Sequence, residues 1–139
     1  MVEFDRVREL VDRKGTFTFS TNLKQKKRVP AFALKMHIKN KTLIEFVRDT
    51  LKLRNRIYEY NHQKNDGYKR GPQAMLIVRE MGQLKNIIVP FFYKKLRGVK
   101  AIKFEKWIEK IGSDPYVPET YKFIHKIYKA GFYDKNPKF

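Results

Sequence analysis

Cysteine is absent from the sequence, which excludes disulfides, thiolate-ligated zinc and a cysteine nucleophile, and leaves the redox compartment unread. Acidic residues are scarce, fourteen against thirty-two lysines and arginines, for a formal net charge of +18. No stretch approaches the roughly 18 consecutive apolar residues of a membrane span. The segment Met1 to Lys14 lacks the apolar centre of a secretory signal. No membrane partner is expected, and the expected location is intracellular, in the cytoplasm or the matrix of an organelle. The three histidines, His37, His62 and His125, stand in separate segments without the spacing of a zinc site. There is no glycine-rich phosphate loop, and no serine, histidine and acid can be placed together, which argues against a metal-independent enzyme of another sort.

What remains is a chain of 139 residues, 42% hydrophobic and 14% aromatic, enough for one compact domain with a real core. A charge of this size repels itself in a compact state unless a polyanion is at hand, so nucleic acid is the first partner to consider. Lysines that merely solvate a surface are the plainer explanation, but the excess is larger than solubility requires.

The hydrophobic period orders the elements. Glu3 to Lys14 puts Phe4, Val7, Leu10 and Val11 on one helical face, with Gly15 where a helix stops. Thr16 to Lys24 alternates as a strand, with Phe17, Phe19 and Leu23 on one face and Thr16, Thr18, Ser20, Asn22 and Lys24 on the other. After the basic turn Gln25-Lys26-Lys27-Arg28, a second strand from Val29 to Lys39 opposes Phe32, Leu34, Met36 and Ile38 to Ala33, Lys35, His37 and Lys39. A helix capped by Asn40 or Thr42 carries Leu43, Ile44, Val47 and Leu51 and runs to about Leu53. The plan then repeats, with a strand near Arg56 to His62, a polar loop from Gln63 to Gln73, a strand near Ala74 to Glu80, and helices. Lys100 to Ile111 places Ile102, Phe104, Trp107, Ile108 and Ile111 on a helical period, and Pro118 to Lys129 reads as a last, extra helix ending at Gly131.

Three segments, Asn86 to Tyr93 (N-I-I-V-P-F-F-Y), Leu96 to Lys100 (L-R-G-V-K) and Phe104 to Trp107 (F-E-K-W), together with Val7 to Gly15 (V-R-E-L-V-D-R-K-G) followed at once by T-F-T-F, closely resemble one-motif LAGLIDADG homing endonucleases. The similarity spans about Val7 to Ile111, with one copy of the motif. It implies an α+β fold, αββαββα, in which a four-stranded antiparallel sheet forms a saddle over the DNA major groove and the helices cover its other face. It further implies a homodimer packed along the motif helix, through Val7, Arg8, Leu10 and Val11. In active members the acidic residue before the terminal glycine of that helix binds a divalent metal; here Lys14 stands there, and an ammonium cannot ligate a metal. Asp12 is the nearest substitute, but residues two apart on a helix point in nearly opposite directions. Arg8 and Glu9 also replace the family's small residues. Lys100 matches a lysine that in active members steadies charge on the phosphate; its plainer role is a surface contact to phosphate. No cofactor is expected, and Mg2+ enters only if nuclease activity is retained.

The residues themselves point to the same surface. The polar strand faces gather Thr16, Thr18, Ser20, Asn22, Lys24, Lys35 and His37 near Lys26, Lys27 and Arg28, the donors and acceptors that base edges and phosphates require. A two-stranded ribbon fits the major groove of DNA better than the deep, narrow groove of duplex RNA. Lys64, Lys69 and Arg70 surround Tyr68 in a glycine-containing loop, a pattern able to clamp a backbone or stack on an unpaired base. Duplex DNA is the expected ligand. A noncatalytic RNA-binding protein, an intron maturase or a structural ribonucleoprotein component, is the alternative. Phe91, Phe92, Phe104 and Trp107 read as core rather than as a stacking platform.

Overall fold

Alternating and helical stretches fold as their periods require, and the departures are local. The computed structural model describes residues 2–63 and 69–139, with the side chains of residues 62, 63, 69 and 70 outside that description. Helix α1 (Val2–Lys14) leads through Gly15 into strand β1 (Gly15–Asn22), followed by β2 (Lys27–His37), a 3-10 turn (Ile38–Asn40) and α2 (Lys41–Thr50). Strands β3 (Tyr58–Gln63) and β4 (Lys69–Val78) come next. Helix α3 (Met81–Gln83), a π-turn (Leu84–Ile88), α4 (Val89–Phe92), α5 (Gly98–Ser113), α6 (Glu119–Lys129) and α7 (Phe132–Lys135) complete the chain. The antiparallel sheet has strand order β1-β2-β4-β3, so β1 and β3 are its edges. Tyr58 pairs with Met75 and Tyr60 with Gln73, and the β3–β4 register breaks between Asn61 and Gln63. No helix among the described residues is long and apolar enough to cross a membrane.

The chain divides into two compact units, each assembled from separate stretches of sequence. The first comprises Met1–Thr16 and Ala33–Ile77. Its core buries Val7 and Val11 of α1, Leu34 and Met36 of β2, Ile44 and Val47 of α2, and Ala74 and Leu76 of β4. Gly15 is required at the helix-to-strand join: a Cβ there would lie 2.6 Å from Val11 Cγ1 and 3.0 Å from the Val11 carbonyl oxygen.

The second unit comprises Phe17–Phe32 and Val78–Phe139 and is organised around Phe17. The Phe17 ring lies 5.5 Å from Phe32, 5.7 Å from Phe92, 5.0 Å from Phe104 and 5.2 Å from Trp107, tilted or edge-on to each. Such geometry opposes the rim of one ring to the face of the next and adds about 0.5–1.5 kcal/mol per pair beyond burial. The Trp107 indole N–H donates to the carbonyl of Thr18 at 2.8 Å, so α5 occupies a backbone acceptor of the edge strand β1. Phe91, Phe92, Phe104 and Trp107 are buried, as their apolar spacing requires.

Several expected boundaries move. Strand β1 stops at Asn22 because the Asn22 side-chain oxygen accepts from the backbone N–H of Lys24 and of Gln25, curling the chain into a turn. Leu23, expected on the apolar face, is therefore 85% exposed. Strand β2 starts at Lys27 and ends at His37, whose Nδ1 accepts from the N–H of Lys39; Ile38 belongs to the 3-10 turn. Helix α2 ends at Thr50 instead of Leu53 because Lys52 takes a left-handed conformation, φ 56°. Asn40 occupies the N-cap position of α2 without a side-chain capping bond. The polar stretch read as a loop up to Gln73 already joins β4 from Lys69, with Pro72 opposite Asn61 on the edge strand. Ile102, expected in the core, is 56% exposed, because α5 turns Phe104, Trp107, Ile108 and Ile111 inward instead.

Candidate nucleic-acid interface

Binding residues are expected on the polar sides of the strands and at the basic turn, and each unit carries some of them. In the first unit Thr16 and Lys35 are exposed and His37 is half-buried. His37 accepts at Nδ1, which leaves its Nε2 to act as a donor in the neutral ring. Gly71, with φ +70°, lets β4 pass close to that ring; a Cβ at Gly71 would lie 3.1 Å from His37 Nε2. Tyr60 and Gln73 are direct cross-strand partners, as are Tyr58 and Met75, so each pair shares a face. Since Ala74 and Leu76 point into the core, Gln73 and Met75 occupy the open side of β4. Sequence reasoning alone misses Tyr58, Tyr60 and Gln73. The period-2 signal is present from Gln73 to Val78, but Pro72 and the glycines hide the start of the strand.

In the second unit Thr18 and Ser20 are half-buried on the polar side of β1. Arg79, a further residue that sequence reasoning misses, donates from its guanidinium to Ser20 Oγ at 3.1 Å. Its carbonyl accepts from the Tyr121 hydroxyl at 2.6 Å. It has the same parity as Gln73 and Met75, the signal that could have found it. Lys24, Lys26 and Lys27 are exposed at the hairpin tip, where Lys26 is left-handed, φ 51°. Thr21, Asn22, Leu23, Lys26, Lys27, Arg28 and Tyr116 line a cleft of about 290 Å3 there.

Two expected contacts prove to be committed to the structure. The side-chain oxygen of Asn22 holds the turn. Arg28 is not a freely presented cation of the basic turn: its guanidinium donates to Asp114 Oδ2 at 2.7 Å and lies 5.3 Å from the centre of the Tyr116 ring, and its backbone N–H donates to the Tyr116 carbonyl. Asp114 is only 6% exposed. Its other oxygen accepts from the Tyr116 N–H at 2.8 Å. The Arg28 hydrogen bond, then that N–H, hold the Asp114 carboxyl below the usual carboxylate range.

The motif helix carries its apolar residues inward. Val7, Leu10 and Val11, expected at a subunit interface, are buried in the first unit's own core, and the Arg8 side chain is 14% exposed beside Asp5 at 3.7 Å. Any pairing along α1 would have to use its charged side, which carries Glu3, Arg6, Glu9 and Arg13. Lys14 is exposed, whereas Asp12 is half-buried. Asp12 Oδ1 has no hydrogen-bond partner among the described residues. A resident divalent metal does not fit this donor set: one orphan carboxylate oxygen and an ammonium cannot supply the several oxygens that such an ion takes. Among the described residues no three His, Asp or Glu side chains come together as a metal-binding group. Lys100 sits half-buried in the first turn of α5. Lys64 and Tyr68, and the side chains of Lys69 and Arg70, lie outside the described residues.

This arrangement, two strand pairs in one antiparallel sheet with helices and a glycine-terminated lead helix, is the LAGLIDADG homing-endonuclease fold. No family model and no curated protein matches the sequence. Among solved structures, the chain is similar to the LAGLIDADG homing endonuclease I-LtrWI bound to its target DNA, at 26% identity over 78% of this chain and 36% of that one, TM-score 0.62. It is also similar to the homing endonuclease I-TnaI, at 23% identity over 76% of this chain and 69% of that one, TM-score 0.55. The group I intron-encoded homing endonuclease I-CeuI, complexed with DNA, matches 95% of this chain and 57% of that one, with 12% identity and a TM-score of 0.57. The chain thus spans about a third of the I-LtrWI protein.

Proposed function

We propose that this protein binds duplex DNA through the polar face of its sheet and has given up the nuclease chemistry associated with the fold. The observation that carries the reading is the contrast between its two surfaces. In the first unit the open sides of the strands present Thr16, Lys35, His37, Tyr60 and Gln73, while the acid position of the motif helix holds Lys14; in the second, β1 presents Thr18 and Ser20 beside Arg79, with Lys24, Lys26 and Lys27 at the hairpin tip. Lysines and Arg79 supply the phosphate contacts that fix position, and Lys35, His37 and Gln73 supply groups able to read base edges. The DNA-bound state of I-LtrWI supports a nucleic-acid ligand for this fold. Asp12 and Lys100 serve in this reading as a structural carboxylate and a phosphate contact.

The test is selection of bound sequences from a randomised duplex library with the full chain, with structured RNA as competitor, followed by incubation of the selected duplex with Mg2+ or Mn2+. Retention of one duplex sequence, uncut, is expected. Preferential retention of the RNA would replace this reading by the noncatalytic RNA-binding one, and metal-dependent cleavage would overturn the loss of chemistry.

A further inference from the structure

Helix α5 sorts its charges by side. Its acids Glu105 and Glu109 are taken up by α6: the Tyr128 hydroxyl donates to Glu105, and Lys129 and His125 contact Glu109. Its lysines Lys103, Lys106 and Lys110 lie on the other side, where with Phe17, Thr18, Phe19 and Trp107 they line an open cleft of about 270 Å3 beside the edge strand β1. Among the described residues neither Lys103 nor Lys106 is in an ion pair, and the Lys110 ammonium lies 5.3 Å from the centre of the Phe19 ring. An ordinary solvated helix face intersperses acids with its lysines, as Glu-Lys spacings at i and i+4 do elsewhere. Among the described residues the one carboxylate in electrostatic reach on this side is Asp114, beside Lys110, and it is already held by Arg28, which leaves Lys103 and Lys106 to an anion from outside.

We propose that this cleft binds a single strand of nucleic acid, with its phosphates on Lys103, Lys106 and Lys110 and one unpaired base against Phe19. The three lysines span roughly 10 Å along the helix axis, enough for about two phosphates of one extended strand. The cleft is at the small end of ligand pockets, a size suited to one flat base rather than to a paired duplex, whose base faces are already covered. Phe19 is half-buried and has the Lys110 ammonium over its ring, the combination that favours stacking with a neighbouring phosphate contact. Trp107 is excluded as the platform, because it is buried and its N–H is held by Thr18. This site shares Thr18 with the proposed duplex-binding face but none of its charged groups, and it does not depend on that reading.

The test is fluorescence anisotropy of the full chain with labelled uridine-rich and thymidine-rich oligonucleotides, at several salt concentrations, beside a labelled duplex. The triple variant Lys103→Gln, Lys106→Gln, Lys110→Gln should reduce the salt slope for single strands by about 1.4, at roughly 0.7 for each of the two phosphates no longer neutralised, and leave duplex affinity unchanged. Phe19→Leu should weaken single-strand binding on the order of ten-fold without changing the slope, with circular dichroism to check its fold. A preference for RNA over DNA would assign the strand through its 2′-hydroxyls, and equal binding would assign the shared phosphate and base chemistry. Absence of single-strand binding by the unaltered chain, equal weakening on duplex and single strands in the triple variant, or displacement by polyglutamate as effective as by the oligonucleotide would overturn the proposal.

Discussion

Replacing Gly15 by alanine tests whether the join between α1 and β1 is set by close approach. The new Cβ would stand 2.6 Å from Val11 Cγ1 and 3.0 Å from the Val11 carbonyl oxygen, against the 3.5–4.0 Å at which carbon atoms normally touch. Val11 is fully buried in a helix, so its branched side chain has essentially one rotamer and no room to swing. The strain must then move backbone, and overpacking of this kind costs about 1–3 kcal/mol. Urea denaturation followed by far-ultraviolet circular dichroism reads this as a lower midpoint at unchanged slope. Because two close approaches are involved, the double variant Gly15→Ala, Val11→Ala separates them. Removing Cγ1 relieves the first clash and leaves the one with the carbonyl, so the pair should be less destabilised than the sum of the singles by about 1 kcal/mol. Strict additivity would refute the side-chain clash, and a Gly15→Ala protein as stable as the original would refute the close approach itself.

Replacing Lys24, Lys26 and Lys27 by glutamine should lower the salt slope of duplex binding by between about two and three, roughly 0.9 per phosphate, with thermal stability unchanged; a constant slope would place the interface elsewhere. Arg28→Gln, by contrast, should lower the melting temperature, since it leaves the buried Asp114 carboxylate without its cation. The same pair gives a pH signature. The folded-state pKa of Asp114 is depressed, so its contribution is complete above the ordinary carboxylate value of about 3.9 and is lost as pH falls through the folded-state value. Melting curves of Asp114→Asn should therefore decline less steeply on the acid side than those of the unaltered protein, and parallel curves would count against the assignment. Light scattering of the free protein should give one copy, 16.8 kDa, because the apolar side of α1 is already consumed in its own core. A stable dimer at micromolar concentration would require another interface.

Much of the fold is legible in the sequence because the apolar period survives wherever the core demands it. Phe17, Phe32, Leu34, Val7 and Val11 all stand where alternation or helical spacing puts them, and each is held by packing that no local turn chemistry opposes. The errors fall where a local hydrogen bond or a handed backbone outcompetes the pattern. Asn22 ends β1 two residues early and turns Leu23 to solvent; His37 caps a 3-10 turn that removes Ile38 from its strand; Lys52 closes α2. Side-chain acceptors with this reach are indistinguishable in sequence from strand residues of the same polarity. The start of β4 is hidden for another reason: Gly71 and Pro72 read as a loop, although Pro72 sits next to the break in β3–β4 register, where a strand tolerates a proline, and Gly71 serves the close passage by His37.

The candidate site is legible in kind but not in membership, and the reason is electrostatic. Composition states how much positive charge the chain carries, not which cations are already neutralised. Arg28 looks equivalent to its neighbours Lys26 and Lys27, yet its partner Asp114 lies 86 residues away, a separation invisible to any local pattern. Lys94 is likewise paired with Asp134, and Lys41 with Glu59. Conversely, the lysines of α5 read as an ordinary amphipathic helix until α6 is seen to draw Glu105 and Glu109 to one side. A charge excess identifies a polyanion binder only as a class. The tertiary pairing of the few acids then decides which cations stay unpaired, and among the described residues Lys24, Lys26 and Lys27 at the hairpin tip and Lys103 and Lys106 of α5 are among those in no ion pair.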